Sequence, residues 1–318
     1  MKKVYFDNAA TTQMSDSVVQ AMSDVMKNDY GNPSSTHSFG RKAKSHIEYS
    51  RKSISSLLKV SPNEIFFTSG GTESNNMIIK SVIKSLKIER IISTKIEHKA
   101  VLCSIESISK TEKIPLIFLD VDNKGIPSIS QLIKLLEQSQ KKTLVSLMHI
   151  NNEIGTMIDL NTYGEICEKN KALFHSDTVQ TIGHYKLDLS KTKIDFITCS
   201  AHKFHGPKGV GFVYAKNGLG LAALIEGGSQ ERGFRGGTES IHNIIGLKTA
   251  LEESNKHLKN DSKKILKIKQ YFINKKELKK LKYKDINFVK KNEKEILNTV
   301  IVACPKSELL ITVTKANK

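Results

Sequence analysis

The chain has 318 residues, 38% of them hydrophobic, with 50 Lys and Arg against 32 Asp and Glu and a formal net charge of +18. That length is too great for one minimal core and too short for three, so one large or two modest domains are expected. Arginine is scarce and tryptophan absent. This argues against a dedicated nucleic-acid reader, which would use arginine and interleaved aromatics.

The opening "MKKVYFDNAATT" has no apolar signal region, and no apolar run approaches the roughly 20 residues of a membrane helix, so a cytoplasmic protein is expected. From about residue 13 to 250 short apolar runs alternate with helix-length segments. "EIFFT" (64–68), "RIIST" (90–94), "PLIFLD" (115–120), "TLVSLMHI" (143–150), "ALFHSD" (172–177), "DFITCS" (195–200) and "GVGFVYA" (209–215) read as buried strands. Segments 72–87 and 128–140 read as helices between them. Such alternation predicts an α/β fold with a mostly parallel sheet flanked by helices, binding its ligand at the carboxyl ends of the strands. After Leu251 a lysine-rich helical stretch leads into "INFVKK" and "LNTVIVAC". The expected division is a large domain over 13–250 and a smaller α/β domain formed by 1–12 and 251–318.

Several expected strand ends carry polar residues that a buried strand does not need. "TSGGTESNN" offers Gly71 and Thr72 at a helix start, an anion seat or ordinary helix punctuation. "HSDTVQTIG" offers Asp177, a site carboxylate or a helix cap, with Gln180 one turn on. "NNEIGT" and "IEHKAV" add Asn152 and His98, and "SAHKFHGPKG" adds Ser200, His202 and Lys203. A desolvated lysine can form a Schiff base. Pyridoxal phosphate needs this set together: a lysine for its aldehyde, N–H and hydroxyl donors for its phosphate, an Asp for its ring nitrogen and an aromatic for its ring face.

These motifs, with "VYFDNAATT", "GNPSSTHSFGRKA" (31–43) and "GGSQERGFRGGTES" (227–240), cover about three quarters of the chain in order. The sequence resembles the NifS/IscS-like cysteine desulfurases of the class V aminotransferase family, fold-type I pyridoxal phosphate enzymes. The resemblance implies that Lys203 carries the cofactor, Asp177 faces its ring nitrogen, and Gln180 its phenolic oxygen. It further implies that His98 stacks on the ring and can exchange protons, that Asn152 contacts the cofactor, and that Gly71, Thr72, Ser200 and His202 hold the phosphate. Thr238 would reach across from the other subunit of a homodimer, and Asn32 would lie near the carboxylate of the substrate, L-cysteine. The implied reaction is L-cysteine to L-alanine, with sulfur passed as a persulfide to an acceptor or iron–sulfur scaffold protein.

In that family the sulfur-accepting cysteine lies on a loop after an "LPNTLNVSF"-like strand. Here "ILNTVIVAC" (296–304) is similar to that strand, and the sequence reaches "LLITVTKANK" without such a loop or the family's substrate-carboxylate arginine. Neither a CxxC pair nor a dense framework joins the four cysteines, so reduced thiols are expected. Cys304 reads as a strand residue, Cys199 as part of a rigid strand, and Cys103 and Cys167 as helical; none has the setting of a mobile, low-pKa thiol. A fragment or early-stopped desulfurase, a non-catalytic pyridoxal phosphate-binding dimeric partner protein, and a selenocysteine lyase or aminotransferase-type enzyme remain as alternatives.

Overall fold

The structure is a computed structural model that describes Tyr5, residues 7–274 and two short strands at 301–303 and 310–312. Seven strands form the main sheet: β1 (Ile65–Thr68), β2 (Arg90–Thr94), β3 (Leu116–Leu119), β4 (Thr143–Ser146), β5 (Leu173–Asp177), β6 (Phe196–Ser200) and β7 (Gly211–Ala215). Their order is β1-β7-β6-β5-β4-β2-β3. The β3-β2, β2-β4, β4-β5 and β5-β6 pairs are parallel, and β7 runs antiparallel to both β6 and β1. The sheet is thus mostly parallel, as the alternation of strand and helix predicts. β8 (Ile301–Ala303) and β9 (Leu310–Thr312) pair with each other.

Side chains alternate across the sheet with period two. Phe66, Ile91, Leu144, Phe196 and Val213 pack on one face, beneath α3 (Gly71–Ser85) and α4 (Lys99–Glu112). Ile65, Phe67, Ile92, Val145, Phe174, Ile197 and Phe212 pack on the other. There they meet α1 (Asp16–Asn28), α2 (Ser38–Leu58), α5 (Ile129–Glu137), α6 (Leu160–Lys169) and α7 (Ile241–Asn274). Both faces are covered, which explains why the strands read as nearly continuous apolar runs. In α2 the buried Ala43, Ile47, Ile54 and Leu58 recur on a single stripe, the spacing of a helix with one packed face.

Most boundaries shift by one to three residues, and β4 departs furthest from the expected element. β4 ends at Ser146 although the apolar run continues to Ile150. Beyond Ser146 the chain still follows β5, with Leu147 N–H donating to His175 O and His149 N–H to Asp177 O. It then bends into a turn closed by Asn151, whose Oδ1 accepts from the Glu153 and Ile154 N–H groups. A single helix, α7, runs across residue 250.

Candidate active site

The carboxyl ends of β1, β2, β4, β5 and β6 all lie at one edge of the sheet, where a cavity of about 360 Å³ opens. Its walls bring together nine of the expected residues: Gly71, Thr72, His98, Asn152, Asp177, Gln180, Ser200, His202 and Lys203. Asn32 and Thr238 do not line it, and both are exposed.

The cup at one end begins where β1 leads into α3. Gly70 has φ +141°, a conformation open to glycine, and caps the helix. A Cβ on Gly71 would stand 2.9 Å from the Val179 side chain and 3.7 Å from Ser200 Cβ. The absent side chain leaves the start of α3 open beside Val179 and Ser200, where Gly71, Thr72 and Ser200 line the cavity together. Free helix N–H groups with hydroxyls suit a phosphate.

Lys203 follows β6 in a short 3-10 turn, Ala201–Lys203. Its Nζ donates to the carbonyls of Ala9 (2.6 Å) and Ala10 (2.9 Å), on a segment that straps over the turn. The strap is tied by Thr12 N–H and Oγ1, both donating to His202 O, and by His205 N–H donating to Thr12 Oγ1. Burial lowers the Lys203 pKa, opposed by the charges of Asp177, Asp7 and Glu153. A lowered pKa makes more of the amine available as a nucleophile. Burial, with Lys203 and Lys208 nearby, pushes His202 down to about 4, so at neutral pH it is an uncharged partner of Thr11 Oγ1.

Asp177 ends β5 and is 3% exposed. Its Oδ1 accepts from Val179 N–H (3.0 Å) and its Oδ2 from Asn75 Nδ2 (2.8 Å). It braces the following turn and lines the cavity; no helix follows β5, so the helix-cap reading of this residue does not hold. His98 caps α4, its Nδ1 accepting from Ala100 N–H (3.0 Å). The neutral ring thus carries its proton on Nε2. Gln180 Nε2 donates to Ala9 O, and Asn152 Nδ2 to Glu153 Oε1 (2.6 Å).

Further residues at the site did not emerge from the sequence. Asp7, Asn75 and Glu153 also line the cavity. Glu97 lies buried beside His98, its Oε1 accepting from Thr94 Oγ1 and Met148 N–H. Burial, and secondarily the charge of Asp177, pushes Glu97 up to about 8. Asn75 sits three residues after Thr72, one turn along the same helix face, a spacing that could have marked it.

None of the three described cysteines lines the cavity. Cys199 belongs to β6 but packs on the face opposite Ser200, and burial raises its pKa well above the ordinary thiol range. Cys167 is buried in α6 with its pKa likewise raised, and Cys103 is exposed on α4. Cys304 lies outside the described residues.

A mostly parallel α/β sheet with a lysine, a buried carboxylate and an anion cup at its carboxyl edge defines the class of pyridoxal phosphate-dependent enzymes. The chain belongs to one family within it: the model for aminotransferase class-V matches residues 4–315. A cysteine desulfurase, IscS, from Dictyoglomus turgidum is 40% identical over 86% of this chain and 69% of its own length. A solved NifS-like protein, 40% identical, superposes with a TM-score of 0.82 over 86% of this chain and 75% of that one. A structure described as SspA in complex with cysteine is 34% identical, with a TM-score of 0.73 over 79% of this chain and 72% of that one. The chain spans about two thirds of the length of the curated relatives it matches. The family's cofactor is pyridoxal phosphate, and the cup, amine and carboxylate have the chemistry to hold it. Among the described residues no helix is long and apolar enough to cross a membrane.

Proposed function

We propose that this chain is a cytoplasmic, homodimeric cysteine desulfurase that binds L-cysteine at the Lys203 cavity and directs its sulfur towards a persulfide. The supporting observation is the convergence of Lys203, Asp177 and the Gly71–Thr72 cup on one cavity. Bound pyridoxal phosphate supplies an electrophilic carbon for amines and a ring that takes up the electron pair left when a Cα–H bond breaks. The α3 N–H groups, Thr72, Ser200 and His202 would bind its phosphate. Asp177 would hold a proton at its ring nitrogen. Lys203 would hold the cofactor and would move the proton at the substrate Cα, and His98 would offer Nε2–H as a second acid. Exposed Thr238 would complete the phosphate cup of the partner subunit, and Asn32 would approach the substrate carboxylate.

In the overall conversion the cysteine Cβ–S bond breaks and the sulfur atom adds to an acceptor thiol, giving a persulfide and alanine. The described cysteines, all outside the cavity, favour a second reading: a dimeric partner that binds cofactor without completing this transfer. Alanine release from L-cysteine by the cofactor-loaded 318-residue chain, with and without an added thiol, separates the two. Alanine release in either arm supports the desulfurase. A cofactor absorbance that changes with L-cysteine but yields no alanine in either arm supports the partner reading. Lys203→Ala is expected to abolish the visible band of lysine-bound cofactor, and a variant that keeps it overturns the site.

A further inference from the structure

We propose that Asn75 is a positioning residue that orients the Asp177 carboxylate towards a protonated heteroaromatic nitrogen and keeps it in register with the phosphate cup. The inference rests on the reading of Asp177 given above.

Asn75 is 1% exposed and borders the cavity. Its amide can be oriented in only one way. A carboxylate accepts but cannot donate, so Nδ2 must face Asp177 Oδ2, which leaves Oδ1 to accept from Thr198 Oγ1 at 3.3 Å. The chain of donors therefore runs from Thr198 on β6, through Asn75 on α3, to Asp177 on β5. Each member sits close to another part of the site. Thr198 precedes Ser200 by two residues on the same face of β6, and Asn75 follows Thr72 by three. One amide thus couples the cup that would bind phosphate to the carboxylate that would bind the ring nitrogen, and so sets the distance a bound cofactor must span.

The donors themselves are uncharged. Asp177 receives an N–H from Asn75 and another from Val179, and among the described residues it has no ion-pair partner within 4 Å. Two uncharged N–H donors of this kind fix the orientation of a carboxylate without placing a cation against it. Both oxygens keep a lone pair for a further donor, so the orientation is fixed while the negative charge stays available. Lys203, Glu97 and Cys199 are the ionisable groups that feel this charge.

The test loads the full chain with pyridoxal phosphate isotopically labelled at the ring nitrogen. It compares the parent with Asn75→Ala, Thr198→Val and Asp177→Asn. Cofactor affinity is measured by equilibrium dialysis, nitrogen protonation by magnetic resonance, and the melting temperature of each apo-protein is recorded. Asn75→Ala is expected to weaken affinity about tenfold and move the nitrogen signal towards the unprotonated form. The near-isosteric Thr198→Val, which preserves the packing, should move both in the same direction by about threefold. If Asp177→Asn shifts both readouts while Asn75→Ala and Thr198→Val shift neither, the inference is overturned and the reading of Asp177 stands. If Asp177→Asn leaves the nitrogen protonated, the reading of Asp177 is wrong and the inference falls with it.

Discussion

Two buried carboxylates, Asp177 and Glu231, are 3% and 4% exposed, yet their surroundings differ in kind. Glu231 receives two hydrogen bonds from the Arg51 guanidinium, both 2.8 Å, and a third from Phe67 N–H. It pins a turn in which Glu231 and Arg232 both have positive φ, within the segment that leads to Thr238. A second pair, Arg235 with Glu73, ties the same segment to the first turn of α3. Among the described residues Asp177 has only amide donors. Where a cation is already paired, the carboxylate is part of the framework. Where only uncharged donors meet it, the carboxylate can still accept a cationic group.

The sharpest way to break this contrast is to remove each carboxylate. Glu231→Ala leaves the buried Arg51 guanidinium only the half-exposed Glu48 and the Ile65 carbonyl as partners, and is expected to cost about 3 kcal/mol in denaturant unfolding of the apo-protein. A loss below 1 kcal/mol (an order-of-magnitude threshold) would show that the pair is replaceable.

Acid should act on three buried histidines. Burial holds His149 at about 4, His175 at about 3 and His202 at about 4, each below the ordinary 6.5. The unfolded chain therefore binds more protons than the folded one below pH 6.5. The stability these neutral rings contribute is fully present above that value and is lost as pH falls through about 4. Unfolding curves across this window should show a fall on the order of a few kcal/mol. A flat profile would mean that these rings reach solvent.

Asp177→Asn is expected to leave the apo-protein as stable as the parent, or slightly more so, because it removes a buried charge with no cation partner. Cofactor affinity should fall about tenfold to a hundredfold. An apo-protein destabilised as much as by Glu231→Ala would erase the distinction.

The smallest expected effect lies at Glu97, whose Oε2 is buried without a hydrogen-bond partner and whose folded pKa is raised to about 8. Its contribution is present below the ordinary 4.5 and is lost as pH rises through about 8. Glu97→Gln should therefore match the parent in acid and exceed it increasingly above that, reaching about 1–3 kcal/mol at alkaline pH. Parallel stability curves would rule out a neutral Glu97.

The contrast also explains what the sequence could reveal. Strands such as "EIFFT" and "DFITCS" were legible because burial on both faces leaves an uninterrupted apolar signature. Lys203, Asp177 and Thr72 were legible because each lies at or within four residues of a strand end, where polar residues interrupt the apolar run. Asn75 and Glu97 were not, since a lone amide inside a helix and a carboxylate beside a histidine resemble ordinary surface residues. Only the cross-strand geometry shows that both are buried. The early end of β4 was hidden for a related reason: apolar side chains continue past Ser146, while the turn is made by the hydrogen bonds of Asn151.

The strap over Lys203 sets a timetable for biosynthesis. Thr11 and Thr12 bond to residues 190 to 193 positions later in the chain, and Ala9 and Ala10 to Lys203 itself. At about 5–20 residues per second, a ribosome needs about 10–40 s between making the two halves of this contact. The segment at residues 9–12 must therefore wait for the turn after β6 before the two can close over Lys203.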